Sequence, residues 1–281
     1  MLTLDPKELP IPKLHHYLLG SIGPRPIAFA STIDAEGNRN LAPFSFFNVF
    51  SANPPILIFS PARSGRTNTT KNTHDNVKAV AEVVINVVTY DMVHQMSLTS
   101  SPFEAGVDEF EKAGFTPIAS DTIRPFRVKE SPVQIECKVL EIKELGQNGG
   151  AGNLIICEVQ KIHIDERVLD ESQMVDQKKI DLVSRMGGNW YCRANDASMF
   201  EVDKPITTIG VGVDSLPINI RTSSQLTGND LGILGNMQTI PTDEEIKAEL
   251  LVIDTPSLSL AKDLLNKNKP QMAYAVLTQV L

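Results

Sequence analysis

The stretch Ile27–Phe50, IAFASTIDAEGNRNLAPFSFFNVF, decides the fold class. Ile27–Ile33 is rich in apolar and β-branched residues and reads as a strand. Asp34-Ala35-Glu36-Gly37-Asn38 supplies turn chemistry, and Asn40–Phe50 resumes an extended pattern, which together signal a hairpin. Pro43 cannot donate to a ladder, so the second strand is expected to lie at an edge or carry a bulge there. Downstream, Pro54-Pro55 break the chain before a strand at Ile56–Ser60. A polar loop, Pro61–Thr70, leads into a short helix around Thr73–Glu82, and the β-branched Val83–Thr89 reads as a buried strand. One or two short helices should fill 91–115 and end at Gly114. Val133, Ile135, Cys137 and Val139 alternate with Gln134, Glu136 and Lys138 in one strand. Leu154–Ile164 forms the next, joined through the glycine-rich Gly146–Asn153. Short strands punctuated by Gly and Pro, with a few short helices, predict a mainly β fold, a small barrel and not a βαβ succession.

Beyond about residue 200 the pattern changes. Thr242-x-x-Glu245 is a capping box ahead of Ile246, Leu250 and Ile253, and a second helix follows Ser257 with Leu258, Ala261 and Leu265 on one side. Gly210-Val211-Gly212 and Gly228–Gly235 read as turns. Two parts are expected: 1–200, and an α-rich extension, 201–281, packed on the barrel or its dimer because short amphipathic helices need a surface to cover them.

Composition excludes several classes. A formal charge of -8 argues against nucleic acid as partner, since phosphate binding needs a basic footprint. Cys137, Cys157 and Cys192 are far apart with no CxxC, which supports neither a disulfide framework nor a zinc knuckle. The five histidines lack metal-ligand spacing, so no metal is expected. Met1–Lys13 does not resemble a signal peptide, and no apolar run approaches membrane-spanning length, so a cytoplasmic protein is expected. Fingerprints for a dinucleotide, a nucleoside triphosphate, a zinc protease or a serine hydrolase are all missing.

One segment stands out chemically. From Arg63 to Thr73 the chain carries Arg63, Ser64, Arg66, Thr67, Thr69, Thr70, Lys71 and Thr73, with no acidic residue, just before a helix start. Cations, hydroxyls and free helix N–H groups favour an anion such as phosphate. A solvated loop that merely caps its helix has the same composition.

Pro24-Arg25-Pro26-Ile27-Ala28, Asn40–Asn48, Pro54-Pro55, Lys71-x-Thr73-x-x-Asn76, Asp108-Glu109-Phe110, Glu136-Cys137, Ile162-His163-Ile164 and Arg185-x-Gly187-Gly188-x-x-Tyr191 occur in order. This succession resembles the flavin reductase-like family of FMN-binding split β-barrels, in its flavoredoxin branch. The resemblance implies a six-stranded, usually dimeric barrel with FMN (flavin mononucleotide) near the dimer interface. It implies that Ser31 and Thr32 line the flavin pocket, that Phe44, Ser45 and Asn48 face the ring system, and that Ser60 belongs to the same site. Arg66, Lys71 and Thr73 would hold the phosphate, Tyr191 would close the pocket edge, and His163 would stand near the nicotinamide. Each also has a structural reading: Ser and Thr are common on half-buried sheet faces, Asn48 could satisfy neighbouring backbone, and His163 ends an apolar strand. The family often has aspartate where this chain has Asn72, and the chain beyond about Phe200 exceeds the minimal barrel.

The function so implied is an oxidoreductase in which FMN takes hydride from NADH or NADPH and passes electrons to an acceptor. The alternative is an electron carrier reduced by a partner protein.

Overall fold

The computed structural model describes residues 1–104 and 106–281, which fall into two compact units, Met1–Phe200 and Glu201–Leu281. The first unit carries β1 (Ala28–Ile33), β2 (Arg39–Phe44), β3 (Phe47–Ala52), β4 (Pro55–Phe59), β5 (Glu82–Asn86), β6 (Pro117–Ile118), β7 (Arg127–Val128), β8 (Val133–Glu144), β9 (Asn153–Ile164), β10 (Val183–Arg185) and β11 (Tyr191–Arg193). Its helices are α1 (Ile11–Ser21), α2 (Asn72–Ala79), α3 (Val93–Leu98) and α4 (Glu109–Ala113).

The β1–β2 hairpin forms for the reason its sequence suggests. The Asp34 carboxylate accepts from the amides of Glu36 and Asn38 at 3.0 and 2.8 Å, and Gly37 takes the left-handed backbone, φ +90°, that costs glycine least. The turn fixes the register from Ile33 opposite Arg39 to Ala28 opposite Phe44.

Seven antiparallel segments then follow in the order β2-β1-β5-β8-β9-β4-β3. β2 and β3 are the two edges, yet only Ser45 and Phe46 separate them in the chain. Phe44 and Phe47 therefore lie within about 10 Å of each other, and a sheet whose edges are that close is rolled into a barrel. β2 and β3 are halves of one strand that leaves β1 and joins β4, with the Ser60 amide donating to the Phe46 carbonyl at 2.9 Å across the break. Counting the broken strand once leaves the six strands of a split barrel.

β1 is buried along its whole length because both its faces are covered. Ala28 and Ala30 point inward with Leu57, Phe59, Ile85, Cys137, Ile155 and Cys157. Phe29 shares the outward face with Leu41, Met92, Met96, Phe110 and Phe115, contributed largely by the α3–α4 segment. The strand period of two divides these sets. Burial pushes the Cys137 thiol up to about 12 and raises that of Cys157 as well, so both behave as small apolar side chains.

The second unit contains α5 (Ile218–Arg221), α6 (Gly228–Gly235), α7 (Asp243–Leu250), α8 (Leu258–Asn266) and α9 (Pro270–Val280). Leu216, Ile220, Leu234, Leu264, Leu265 and Leu277 form its core, so its helices cover one another's apolar faces. Gly228–Gly235 is a helix where its glycines suggested a turn. A Thr227–Asp230 capping box and the burial of Leu234 outweigh glycine's cost of about 1 kcal/mol per residue. Gly210 is needed for packing, since a Cβ there would lie 2.5 Å from the Gly235 carbonyl oxygen.

The Thr242 capping box forms as read, with the Glu245 amide donating to Thr242 Oγ1 and the Thr242 amide donating to Glu245 Oε2. Thr242→Ala is expected to cost about 1 kcal/mol, measured by denaturant titration followed by circular dichroism. An unchanged midpoint would mean that packing alone holds α7. Among the described residues no helix is long and apolar enough to cross a membrane.

Candidate functional site

The break between β2 and β3 brings the predicted ring-facing residues beside the polar loop. The Phe44 ring lies 5.6 Å from that of Phe59 and backs onto the barrel core. Half-buried Ser45 sits in the break itself. Ser60, directly after β4, is only 7% exposed, and its Oγ has no partner. A second strand end converges here: Asn153, at the start of β9, donates from Nδ2 to the Pro61 carbonyl at 2.9 Å, while its Oδ1 is buried without a partner.

The glycine connection before β9 is pressed against this loop. The Gly150 amide donates to Arg63 O at 3.0 Å and the Arg63 amide to Ala151 O at 2.8 Å. A Cβ at Gly152 would lie 2.8 Å from Ser60 Oγ, and one at Gly149 would lie 2.9 Å from Ser64 O. Only glycine lets the connection approach this closely, and it forms a tight cradle beside Ser60.

Within the loop Arg63 is engaged internally, donating from Nε to Asn68 Oδ1 at 2.9 Å. Arg66 and Lys71 are exposed, and neither forms an ion pair among the described residues. Lys71 precedes α2 and no side chain caps that helix, so its first N–H groups stay available. Thr73, in the first turn, is 1% exposed. The loop thus presents two exposed cations, unpaired among the described residues, ahead of a helix start that no side chain caps.

The structure separates Ser31 from Thr32. Successive strand residues point to opposite faces, so Thr32 shares the inner face of Ala28 and Ala30, and Ser31 the outer face of Phe29. Thr32 Oγ1 accepts from Asn76 Nδ2 at 3.1 Å, which ties it to α2. Ser31 Oγ is buried without a partner. The two side chains do not line one pocket together. Asn48 is exposed, and its Oδ1 accepts from the Val49 amide at 2.8 Å, the local bond of its structural reading. Tyr191, on β11, has the Arg185 guanidinium over its ring at 4.6 Å.

His163 stands apart from the others. It lies ten residues along β9 from Asn153, roughly 30 Å at the strand rise. Its Nε2 donates at 2.7 Å to Glu136 Oε1, because an ionised carboxylate can only accept. Burial works to raise the fully buried Glu136 carboxyl, but hydrogen bonds from the Thr122 hydroxyl, the Asp121 amide, His163 and the Thr122 amide outweigh it and bring the group to about 2. Asp121, Glu136 and His163 lie within ligating distance of one another, but Lys161 pairs with Asp121 at 2.5 Å and Arg127 approaches Glu136 at 3.7 Å. This is an internally satisfied polar knot tying β8 and β9 to the loop at 121–122.

Sequence reasoning missed Asn153 and the cradle glycines. Their signal was the glycine density of 146–152, which also marks any turn.

The chain is similar to known proteins. The "Flavin reductase like domain" family matches residues 20–181, more than half of the chain. An uncharacterized protein of Aquifex aeolicus is 37% identical over 188 residues, covering 67% of this chain and 93% of that one. Nitrilotriacetate monooxygenase component B from Bacillus cereus is 30% identical with a TM-score of 0.67, over 72% of this chain and 98% of that one. The 2-nitrobenzoate 2-nitroreductase of Pseudomonas fluorescens is 27% identical with a TM-score of 0.64, over 74% of this chain and 100% of that one. With its broken barrel strand and a polar loop and glycine cradle at the break, the chain belongs to the flavin reductase-like family.

Proposed function

We propose that the chain binds FMN at the barrel break and works as an NAD(P)H-dependent flavin oxidoreductase. The observation that carries this reading is the pair of buried, unpartnered polar atoms at the strand break, Ser60 Oγ and Asn153 Oδ1, followed in the chain by a loop with the exposed cations Arg66 and Lys71. When bound, FMN supplies the two-electron chemistry, accepting a hydride equivalent from NADH or NADPH and passing electrons to an acceptor. The chain's own residues bind and orient. Arg66, Lys71, Thr73 and the first amides of α2 hold the phosphate. Ser60 would donate to the ligand, and the backbone around Phe44–Ser45 would face the ring system.

The same reading includes a homodimer with the site near its interface. Val49 and Phe50, on β3 just past the break, are 63% and 62% exposed, and such side chains are commonly covered by a partner.

Protein purified from cells is expected to be yellow, to release FMN on denaturation, to sediment as a dimer, and to bleach when mixed anaerobically with NADH or NADPH. Colourless protein that ignores micromolar FMN would end the flavin reading. Bound FMN that neither nicotinamide reduces would leave an electron carrier reduced by a partner protein.

A further inference from the structure

Pro24-Arg25-Pro26 is given no role by the chemistry above, yet Arg25 is 7% exposed and forms no ion pair among the described residues. All its side-chain hydrogen bonds go to backbone carbonyls. Nη1 donates to Leu19 O at 2.8 Å and to Ile22 O, and Nη2 donates to Met186 O at 2.8 Å. The first two acceptors belong to the carboxyl end of α1, where helix carbonyls lack partners and a cation is favoured. The third belongs to the segment between β10 and β11, to which Arg25 is also joined by paired backbone bonds with Arg185 of 3.0 and 2.8 Å. Burying a guanidinium without a carboxylate is costly, and here the result is to fasten α1 to the hairpin that carries Tyr191.

α1 needs such a fastening, because none of its eleven residues is buried. About 16 Å long, it meets the barrel at three places. At its start Ile11 sits over Gly150, with its Cγ2 3.4 Å from where a Cβ would stand, and Gly150 is bonded to Arg63 of the polar loop. In its middle the His15 ring stands edge-on to Phe46 of the strand break, with centroids 6.5 Å apart. At its end Gly20 lies so close to Gly187 that a Cβ there would fall 3.0 Å from Gly20 Cα. The helix thus runs from the loop, past the break, to the hairpin.

We propose that α1 is a lid over the candidate flavin site and that Arg25 is the latch that holds it closed. This rests on the flavin reading, and the lid predicts a kinetic signature that a binding contact does not share. Loss of a direct contact speeds ligand release alone, whereas an unlatched lid speeds both entry and release and changes the dissociation constant less than either rate.

The test combines stopped-flow FMN binding and release with hydrogen exchange of the α1 amides in flavin-free protein, for wild type, Arg25→Ala, Arg25→Lys and Gly187→Ala. Arg25→Ala is expected to raise both FMN rates by about tenfold, the effect of one net hydrogen bond to a charged group, and to speed α1 exchange. Arg25→Lys keeps the charge but not the fork that reaches three carbonyls, and should restore part of each effect. Gly187→Ala crowds Gly20 without altering charge and should reproduce the signature if Arg25→Ala fails to fold. Unchanged α1 exchange in either variant overturns the latch whether or not flavin binds. Faster exchange with unchanged FMN rates, or a rise in release alone, overturns the lid. Wild-type protein that binds no FMN removes the flavin reading, and with it the lid's ligand, while the exchange result still judges the latch.

Discussion

Glu136→Ala is expected to remove about 3–5 kcal/mol of stability, as when one partner of a buried ionic network is deleted. The carboxylate is fully buried and accepts from the Asp121 amide at 2.8 Å, the Thr122 amide at 2.7 Å, the Thr122 hydroxyl at 2.5 Å and His163 at 2.7 Å. Alanine would leave these donors facing a cavity with Arg127 still beside it, and buried donors without acceptors cost more than the bonds contributed. The pH dependence has a definite sign. Glu136 titrates at about 2 in the folded protein against an ordinary value of 4.5, so the unfolded chain binds the proton first. The stabilisation is complete above about pH 4.5 and declines as the pH falls toward 2, amounting to ~3 kcal/mol over the window. Urea titrations of wild type and Glu136→Gln between pH 7 and 2.5 measure it directly. Glutamine keeps the shape and one acceptor oxygen but does not titrate, so its stability should fall less steeply below pH 4.5. Equal slopes would show that other carboxylates govern acid unfolding.

The same residue shows where the sequence is legible and where it is not. In Val133–Val139 the alternation of apolar and polar residues places Cys137 in the core correctly, but it also suggests that Gln134 and Glu136 face water. They are buried, at 8% and 0% exposure, because the segment around 119–128 covers that face, bonding to Glu136 through Asp121 and Thr122 and to Gln134 through Arg127. That covering is a tertiary event with no local trace. His163 shares the problem, since its partner lies 27 residues away. Local features fared differently. The Asp34–Asn38 turn and the capping box at Thr242 are complete within a few residues, and both form as read. α1 carries Ile11, Leu14 and Leu18 at helical spacing, but none of its eleven residues is buried. α6 was overlooked because glycine propensity spoke against a helix that its cap and its tertiary burial sustain.

A selective loss of FMN affinity is the expected result for Arg66→Ala. The side chain is exposed and forms no ion pair among the described residues, so removing it disturbs little in the fold. A charge-assisted hydrogen bond to a phosphate contributes about 1.5–3 kcal/mol, equivalent to roughly ten- to a hundredfold in dissociation constant. Riboflavin carries the same ring and ribityl chain without the phosphate, so its affinity should hardly change. The measurement is therefore a difference: FMN and riboflavin are each titrated against wild type and Arg66→Ala, and the change in their affinity ratio is compared. Equal losses for both ligands would point to a damaged fold, and no loss for either would return Arg66 to a solvated loop. Lys71→Ala should move the ratio in the same direction and by less, because an ammonium on a flexible stem stays hydrated and makes a single point contact where a guanidinium makes two.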